Sequence, residues 1–169
     1  MSNKSVVHAW RFIATAVGWV LGAMGKVLSK DAHQGEGPNT YPKDEQAGTK
    51  TRPDADNTTA VVEIKSTLDT PDPDGGPRKI YNSPQMDGQR EAANKSDRKH
   101  VVVIVNGDRD NVQPSGPLGQ APPKGSNVLH YDPTSGAWSE WQPAQGDQPG
   151  KWVTKEDTGA RAKELTGGR

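Results

Sequence analysis

Apolar residues are concentrated at the start of the chain and become sparse after it. Residues 1–30 contain 17 hydrophobic residues, and residues 12–25 carry no charged side chain. This pattern predicts an apolar α-helix flanked by Arg11 and Lys26. The two charges could reach the two interfaces of a bilayer while residues 6–28 cross it. The first predicted element is therefore a basic, apolar N-terminal helix.

Three interpretations of this helix stay open. It is a single-pass membrane anchor, a secretory signal whose cleavage after residue 25 would make the protein secreted, or a helix that lies at an interface or is buried in an assembly. Ala14, Gly18 and Gly22 recur every fourth residue. This is the small-residue spacing of packed membrane helices, and it predicts a helix-packing face for self-association.

Two segments within residues 60–112 predict strands. Residues 60–68 alternate apolar side chains with Glu63 and Lys65, which is the period of a half-buried strand. Residues 100–105 contain a continuous run of β-favouring residues, which are Val101, Val102, Val103, Ile104 and Val105. A run of this kind needs cover on both faces. We expect it to dock on another subunit or on the few other strands of the chain.

The remaining segments predict linkers and a small aromatic region. Residues 31–59 and the Pro/Gly-rich residues 113–126 are typical of flexible linkers. Residues 127–157 contain three short strand patterns separated by two Pro/Gly turns, which predicts a small β-meander. Residues 158–169 predict a polar C-terminal tail with at most a turn of helix.

The meander carries a candidate aromatic binding surface, formed by Tyr131, Trp138, Trp141 and Trp152. Trp141 and Trp152, with the turn of residues 146–150 between them and Tyr131 upstream, resemble small chitin- and cellulose-binding β-modules. In those modules exposed Trp and Tyr rings stack on sugar rings, so the resemblance implies polysaccharide binding. A sheet this small would also need these rings as its core.

Composition favours an extended chain. Hydrophobic residues make up 30% of the sequence, beside 19 Gly and 14 Pro, whereas globular domains contain about 45–50% apolar residues. Ordering each residue costs about 1–2 kcal/mol, which burial must offset. We therefore predict a mostly irregular, extended fold, with one N-terminal apolar α-helix and a few short β-strands, including the C-terminal β-meander.

Charge and residue types argue against several kinds of chemistry. Lys+Arg and Asp+Glu are 21 each, so nothing attracts the whole chain to nucleic acid, and we predict no nucleic-acid partner. Cysteine is absent, and His8, His33, His100 and His130 lack the spacing of metal ligands. We predict no catalytic residue, no cofactor and no metal, and no enzymatic activity.

The resulting functional hypothesis is a structural or interaction protein. Its N-terminal helix would be membrane-associated or buried in an assembly, and its extended tail would tether or cement other protein subunits, as in a virion or an envelope component. The alternative hypothesis is an anchored or exported accessory protein that binds a polysaccharide through the aromatic meander.

Overall fold

The computed structural model describes residues 41–44, 49–51 and 53–167, with side chains from residue 53 onward. The strands are β1 (Tyr41–Asp44), β2 (Thr49–Thr51), β3 (Ala55–Asp56), β4 (Ala60–Ser66), β5 (Arg78–Tyr81), β6 (Lys99–Val105), β7 (Val112–Ser115), β8 (Asn127–Tyr131), β9 (Trp138–Gln142) and β10 (Lys151–Val153). The helices are α1 (Pro84–Lys95) and α2 (Thr158–Thr166), with 3₁₀ turns at Arg109–Asn111 and Gly116–Gly119.

Six strands form one mixed sheet in the order β10-β9-β8-β6-β4-β3. The central strands β4, β6 and β8 are parallel, and β3, β9 and β10 are each antiparallel to their neighbours. The pairs β1–β2 and β5–β7 form two small separate sheets. Val, Ile and Leu dominate the central strands because those strands are covered on both faces.

The two crossovers between the parallel strands cover one face of the sheet, here called the α1 face. Along the sequence, β5 and α1 connect β4 to β6, and β7 and the 3₁₀ turns connect β6 to β8. Met86 of α1 and Leu118 pack with Val102, Ile104 and Val128 in one buried cluster. The Ser83 hydroxyl caps α1 by accepting a hydrogen bond from the Met86 N–H at 3.2 Å.

Helix α2 covers the opposite face, here called the α2 face. Ala162 and Leu165 pack there with Val62, Val103 and other central-strand residues. The helix ends at Gly167, whose φ of +76° is a left-handed conformation that favours glycine. The side chain of Asn57 donates to the Thr166 carbonyl at 2.7 Å, which ties the helix end to the loop before β4.

The prediction of a mostly irregular, extended chain is wrong, because the described region is a compact α/β fold. Segments without an obvious apolar pattern supply the cover that the apolar strands need. Residues 78–81 and 112–115 form the β5–β7 sheet, and residues 84–95 form α1. The predicted polar tail contains α2, and its Leu165 is fully buried. These segments of the same chain therefore provide the cover for the apolar strands.

The segments predicted as a β-meander and as an N-terminal helix have different outcomes. Within residues 127–157, β8, β9 and β10 run antiparallel in sequence order, but they continue the large sheet through the β6–β8 pairing. The predicted apolar helix of residues 1–30 lies outside the described residues. Among the residues that are described, no helix is both long and apolar enough to cross a membrane.

Candidate functional site

A hairpin at one edge of the sheet brings two carboxyl groups together. β3 pairs with β4 through Ala55 opposite Val62 and Asp56 opposite Val61, so the same register places Asp54 opposite Glu63. Asp54 Oδ2 accepts a hydrogen bond from the Ile64 N–H at 2.6 Å, which fixes its carboxyl group against β4. Directly opposite side chains in antiparallel strands are neighbours, with about 4.5–5.5 Å between their Cβ atoms.

Lys65 adds a positive charge beside the two carboxyl groups. It lies two residues after Glu63 on the same strand, so both side chains leave the sheet on the same face. The Lys65 ammonium forms an ion pair with Glu63 Oε1. Asp54 interacts electrostatically with both residues. Two acidic groups and one basic group therefore form a single cluster, here called the hairpin cluster (Asp54, Glu63 and Lys65).

Helix α1 holds the Glu63 carboxylate with two amides. Gln85 Nε2 donates to Glu63 Oε1 and Gln89 Nε2 donates to Oε2, both at 2.9 Å. The two glutamines are four residues apart, so they project from one face of the helix. Glu63 is 3% exposed, and a carboxyl group so deeply buried needs hydrogen-bond donors such as these two amides.

The start of α1 also lies at the hairpin cluster, because Gln85 is the second residue of the helix. In this first turn Pro84 has no N–H, and the Met86 N–H donates to the Ser83 hydroxyl. The positive end of the helix dipole remains, and it favours a negatively charged group such as the Glu63 carboxylate.

The environment of Asp54 raises the pKa of its carboxyl group to about 6 from the ordinary 3.8. Burial is the largest cause and the neighbouring Glu63 charge is the second, while the Ile64 N–H and Lys65 act in the opposite direction. Like charges that face each other across two strands destabilise the folded state. Such unfavourable arrangements are concentrated at functional sites.

The hairpin cluster has two carboxyl groups, which are too few to coordinate a metal by protein side chains alone but are a common number for Mg²⁺. In the part of the chain that the structure describes, no group of three or more His, Asp or Glu side chains could hold a metal. Mg²⁺ commonly binds one or two carboxylates and completes its shell with water and substrate phosphate oxygens. Asp54 and Glu63 supply such a pair, and Lys65 supplies a point charge for a phosphate.

The run predicted to dock a partner is the centre of the fold. Val101, Val102, Val103, Ile104 and Val105 belong to β6 and are at most 2% exposed. β4 pairs with one side of this strand and β8 with the other. The sequence predicted that this run docks on another subunit or on other strands of the chain, and the structure contains the second arrangement. Because both sides of β6 are paired, the strand has no open edge for a partner.

The four predicted aromatic residues do not form one surface. Tyr131 and Trp138 pack on the α2 face, with ring centroids 4.8 Å apart. Trp141 and Trp152 pack on the α1 face, with ring centroids 5.2 Å apart. Tyr131 and Trp141 are buried, so these rings act as core on both sides of the sheet. The predicted helix-packing residues Ala14, Gly18 and Gly22 lie outside the described residues.

Sequence analysis missed Asp54, Glu63 and Lys65 as a site. It assigned Glu63 and Lys65 to the solvent side of a half-buried strand and placed Asp54 in a linker. A usable signal was present in the acidic residue just before one strand of a hairpin and the Glu-x-Lys pattern inside the next. The apolar residues around Glu63 indicate burial, and a buried Glu beside a Lys needs an explanation.

Comparison of this chain with known protein families, curated proteins and solved structures gave no match. Any functional assignment therefore rests on the fold and on the hairpin cluster. They define a mixed α/β protein with an acidic pair and a lysine at one edge of its main sheet.

Proposed function

We propose that this protein is a metal-dependent hydrolase that cleaves phosphodiester bonds, with nucleic acid as its substrate class. The observation that carries the proposal is the β3–β4 hairpin, where Asp54 accepts from the Ile64 N–H next to Glu63 and Glu63 forms an ion pair with Lys65. This proposal replaces the expectation of a non-enzymatic tether, because that expectation depended on an extended tail.

Each residue of the hairpin cluster has a role in this proposal. Asp54 and Glu63 would hold a divalent cation, which when bound would neutralise charge on the phosphate and lower the pKa of a water. Lys65 would bind a phosphate oxygen, and its positive charge would favour the extra negative charge of the transition state. Gln85 and Gln89 would keep the Glu63 carboxylate oriented.

The position of the site supports a polymer as substrate. β3 is the last strand of the six-stranded sheet within the described residues, so the hairpin cluster lies at a sheet edge rather than over its centre. An edge site can accept a long chain that passes across it. The neutral overall charge does not oppose this substrate, because the bound cation and Lys65 would both be positive at the point of contact.

The test uses the full chain with plasmid DNA, RNA and a small phosphodiester, each with Mg²⁺, with Mn²⁺ or with a chelator. We expect cleavage that needs the metal and falls at least about 100-fold in Asp54→Asn, because one cation ligand loses its charge. Lys65→Met should lower the rate while Mn²⁺ still binds in calorimetry.

Asp147→Asn is the matched control, since this exposed carboxylate lies in the loop between β9 and β10 and should leave cleavage unchanged. Absence of cleavage by the wild-type protein, together with absence of Mn²⁺ binding, would refute the proposal. Cleavage that persists in Asp54→Asn would refute the assignment of the site.

A further inference from the structure

A chain of buried hydrogen bonds leads from Glu63 into the centre of the sheet. Gln89, which donates to Glu63 Oε2, presents its Oε1 to His100 Nε2 at 3.2 Å. His100 Nδ1 lies 2.7 Å from the Ser126 hydroxyl. Gln89 is fully buried, and His100 and Ser126 are each 3% exposed. The three side chains thus connect the carboxylate on β4 with β6 and with the residue that precedes β8.

The amide of Gln89 sets the direction of this chain. Its NH₂ group donates to Glu63, because the opposite orientation would place the amide oxygen against the carboxylate. The oxygen therefore faces His100 and can only accept a hydrogen bond, so His100 must carry its proton on Nε2. Nδ1 then accepts from the Ser126 hydroxyl.

Two further features keep His100 in this state. Arg90 Nη1 donates to Ser126 Oγ at 3.4 Å, which leaves the hydroxyl proton of Ser126 to point at His100. Burial and, to a smaller extent, the Arg90 charge lower the pKa of His100 to about 3. The ring is therefore neutral near physiological pH, and each donor from Arg90 through Ser126, His100 and Gln89 points toward Glu63.

We infer that His100 is a positioning residue of the hairpin cluster, which orients the Gln89 amide and through it the Oε2 atom of Glu63. This inference rests on the proposed function, since it assigns His100 a role in that same site. His100 touches neither the cation nor the phosphate and acts through Gln89. Hydrogen-bond partners of metal ligands commonly contribute 10- to 100-fold to metal affinity or activity.

Two substitutions separate the roles of the two His100 nitrogens. His100→Gln can place an amide donor near the Nε2 position and so still donate to Gln89. His100→Asn is shorter, and its amide can reach the Ser126 side but not Gln89. Both variants remove the ring and leave a neutral amide, so the free energy of unfolding, measured by urea denaturation, should fall by similar amounts.

Mn²⁺ titration calorimetry and metal-dependent cleavage by the full chain are the readouts. We expect His100→Asn to weaken Mn²⁺ binding about tenfold, whereas His100→Gln stays within about threefold of the wild type. Equal Mn²⁺ affinities in the two variants at similar stability would overturn the inference. If the wild type binds no Mn²⁺, the proposed function fails. If the wild type binds Mn²⁺ and His100→Asn binds it equally well, the positioning role alone fails.

A second measurement needs no substitution. Long-range ¹H–¹⁵N NMR of the wild-type protein reports which ring nitrogen of His100 is protonated. We expect a protonated Nε2 and an unprotonated Nδ1 near pH 7. A proton on Nδ1 would reverse the direction of the hydrogen bonds, remove the donor to Gln89 and overturn the inference whether or not either variant folds.

Discussion

The two edges of the six-stranded sheet carry opposite kinds of side chain on the same α1 face. One edge has the hairpin cluster, where two carboxyl groups and a lysine come together. The other edge has Trp141 and Trp152, whose rings meet edge to face with 5.2 Å between centroids. The indole N–H groups donate to the backbone carbonyls of Gly119 and Val112, at 3.1 and 2.8 Å.

The two edges have opposite effects on the stability of the folded protein. The aromatic edge buries large apolar area and satisfies its polar atoms with neutral backbone partners, which favours the folded state. The hairpin edge buries Glu63 and raises the pKa of Asp54, so part of the folding free energy is lost there. A fold that keeps such an arrangement at one edge has to be stabilised by the remainder of the structure.

The largest expected effect comes from breaking the aromatic edge. Trp141→Ala should lower the free energy of unfolding by about 3–5 kcal/mol, because a large buried ring is replaced by a cavity. The ring is closely packed: a Cβ added at Gly150 would lie 2.4 Å from Trp141 Cζ2. Urea denaturation measures the loss. The protein that remains folded should retain its Mn²⁺ affinity, and a loss below about 1 kcal/mol would contradict the role of this edge.

The second effect has the opposite sign and belongs to the hairpin edge. The folded-state pKa of Asp54 is about 6, above its ordinary 3.8, so the folded protein binds this proton more tightly than the unfolded chain does. Stability from this group is fully present below pH 4 and is lost as the pH rises through 6. Asp54→Asn removes the titration and can still accept the Ile64 hydrogen bond.

We therefore expect metal-free Asp54→Asn to be more stable than the wild type by about 2 kcal/mol at pH 8, a value reduced for partial solvent screening. The difference should vanish near pH 4. Urea denaturation with a chelator at the two pH values measures it. A variant that is less stable than the wild type at pH 8 would show that Asp54 is a structural residue.

The hydrophobic pattern of the sequence predicted the apolar strands, but it did not predict that a polar helix packs over them. The alternation in residues 60–68 and the run in residues 100–105 correspond in position to β4 and β6. Helix α1 shows no apolar stripe, because its buried residues include Gly88, Gln89 and Arg90 as well as Met86 and Ala93. Gln89 contacts the buried Glu63 and His100, and Arg90 donates to the buried Ser126, so both have polar partners rather than an apolar core.

The same cause concealed the candidate site. A hydrophobicity pattern treats Glu63 and Lys65 as the solvent side of a strand, and it cannot show that a polar helix covers that side. The opposition of Asp54 and Glu63 depends on hairpin register, which is set by tertiary structure. The split of the four aromatic rings between two faces also depends on pairing, since Trp138 and Trp141 are three residues apart in one strand and so face opposite sides.

The smallest expected effect compares two buried histidines on the α1 face. His130, like His100, is 3% exposed, and burial is the main cause that lowers its pKa. His130 Nε2 lies 2.6 Å from Asn106 Oδ1, and the Asn106 amide donates to the Asp108 carbonyl. This hydrogen-bond chain therefore ends at the backbone, whereas the His100 chain ends at a carboxylate.

His130→Asn should lower the free energy of unfolding by about 1 kcal/mol, through a lost neutral hydrogen bond and the lost edge contact with Trp152. Its Mn²⁺ affinity should equal that of the wild type, in contrast to His100→Asn. Denaturation and calorimetry on the two variants make the comparison. If His130→Asn weakens Mn²⁺ binding as much as His100→Asn does, the effect reflects a general loosening of this face, because the His130 chain through Asn106 leads to the Asp108 carbonyl.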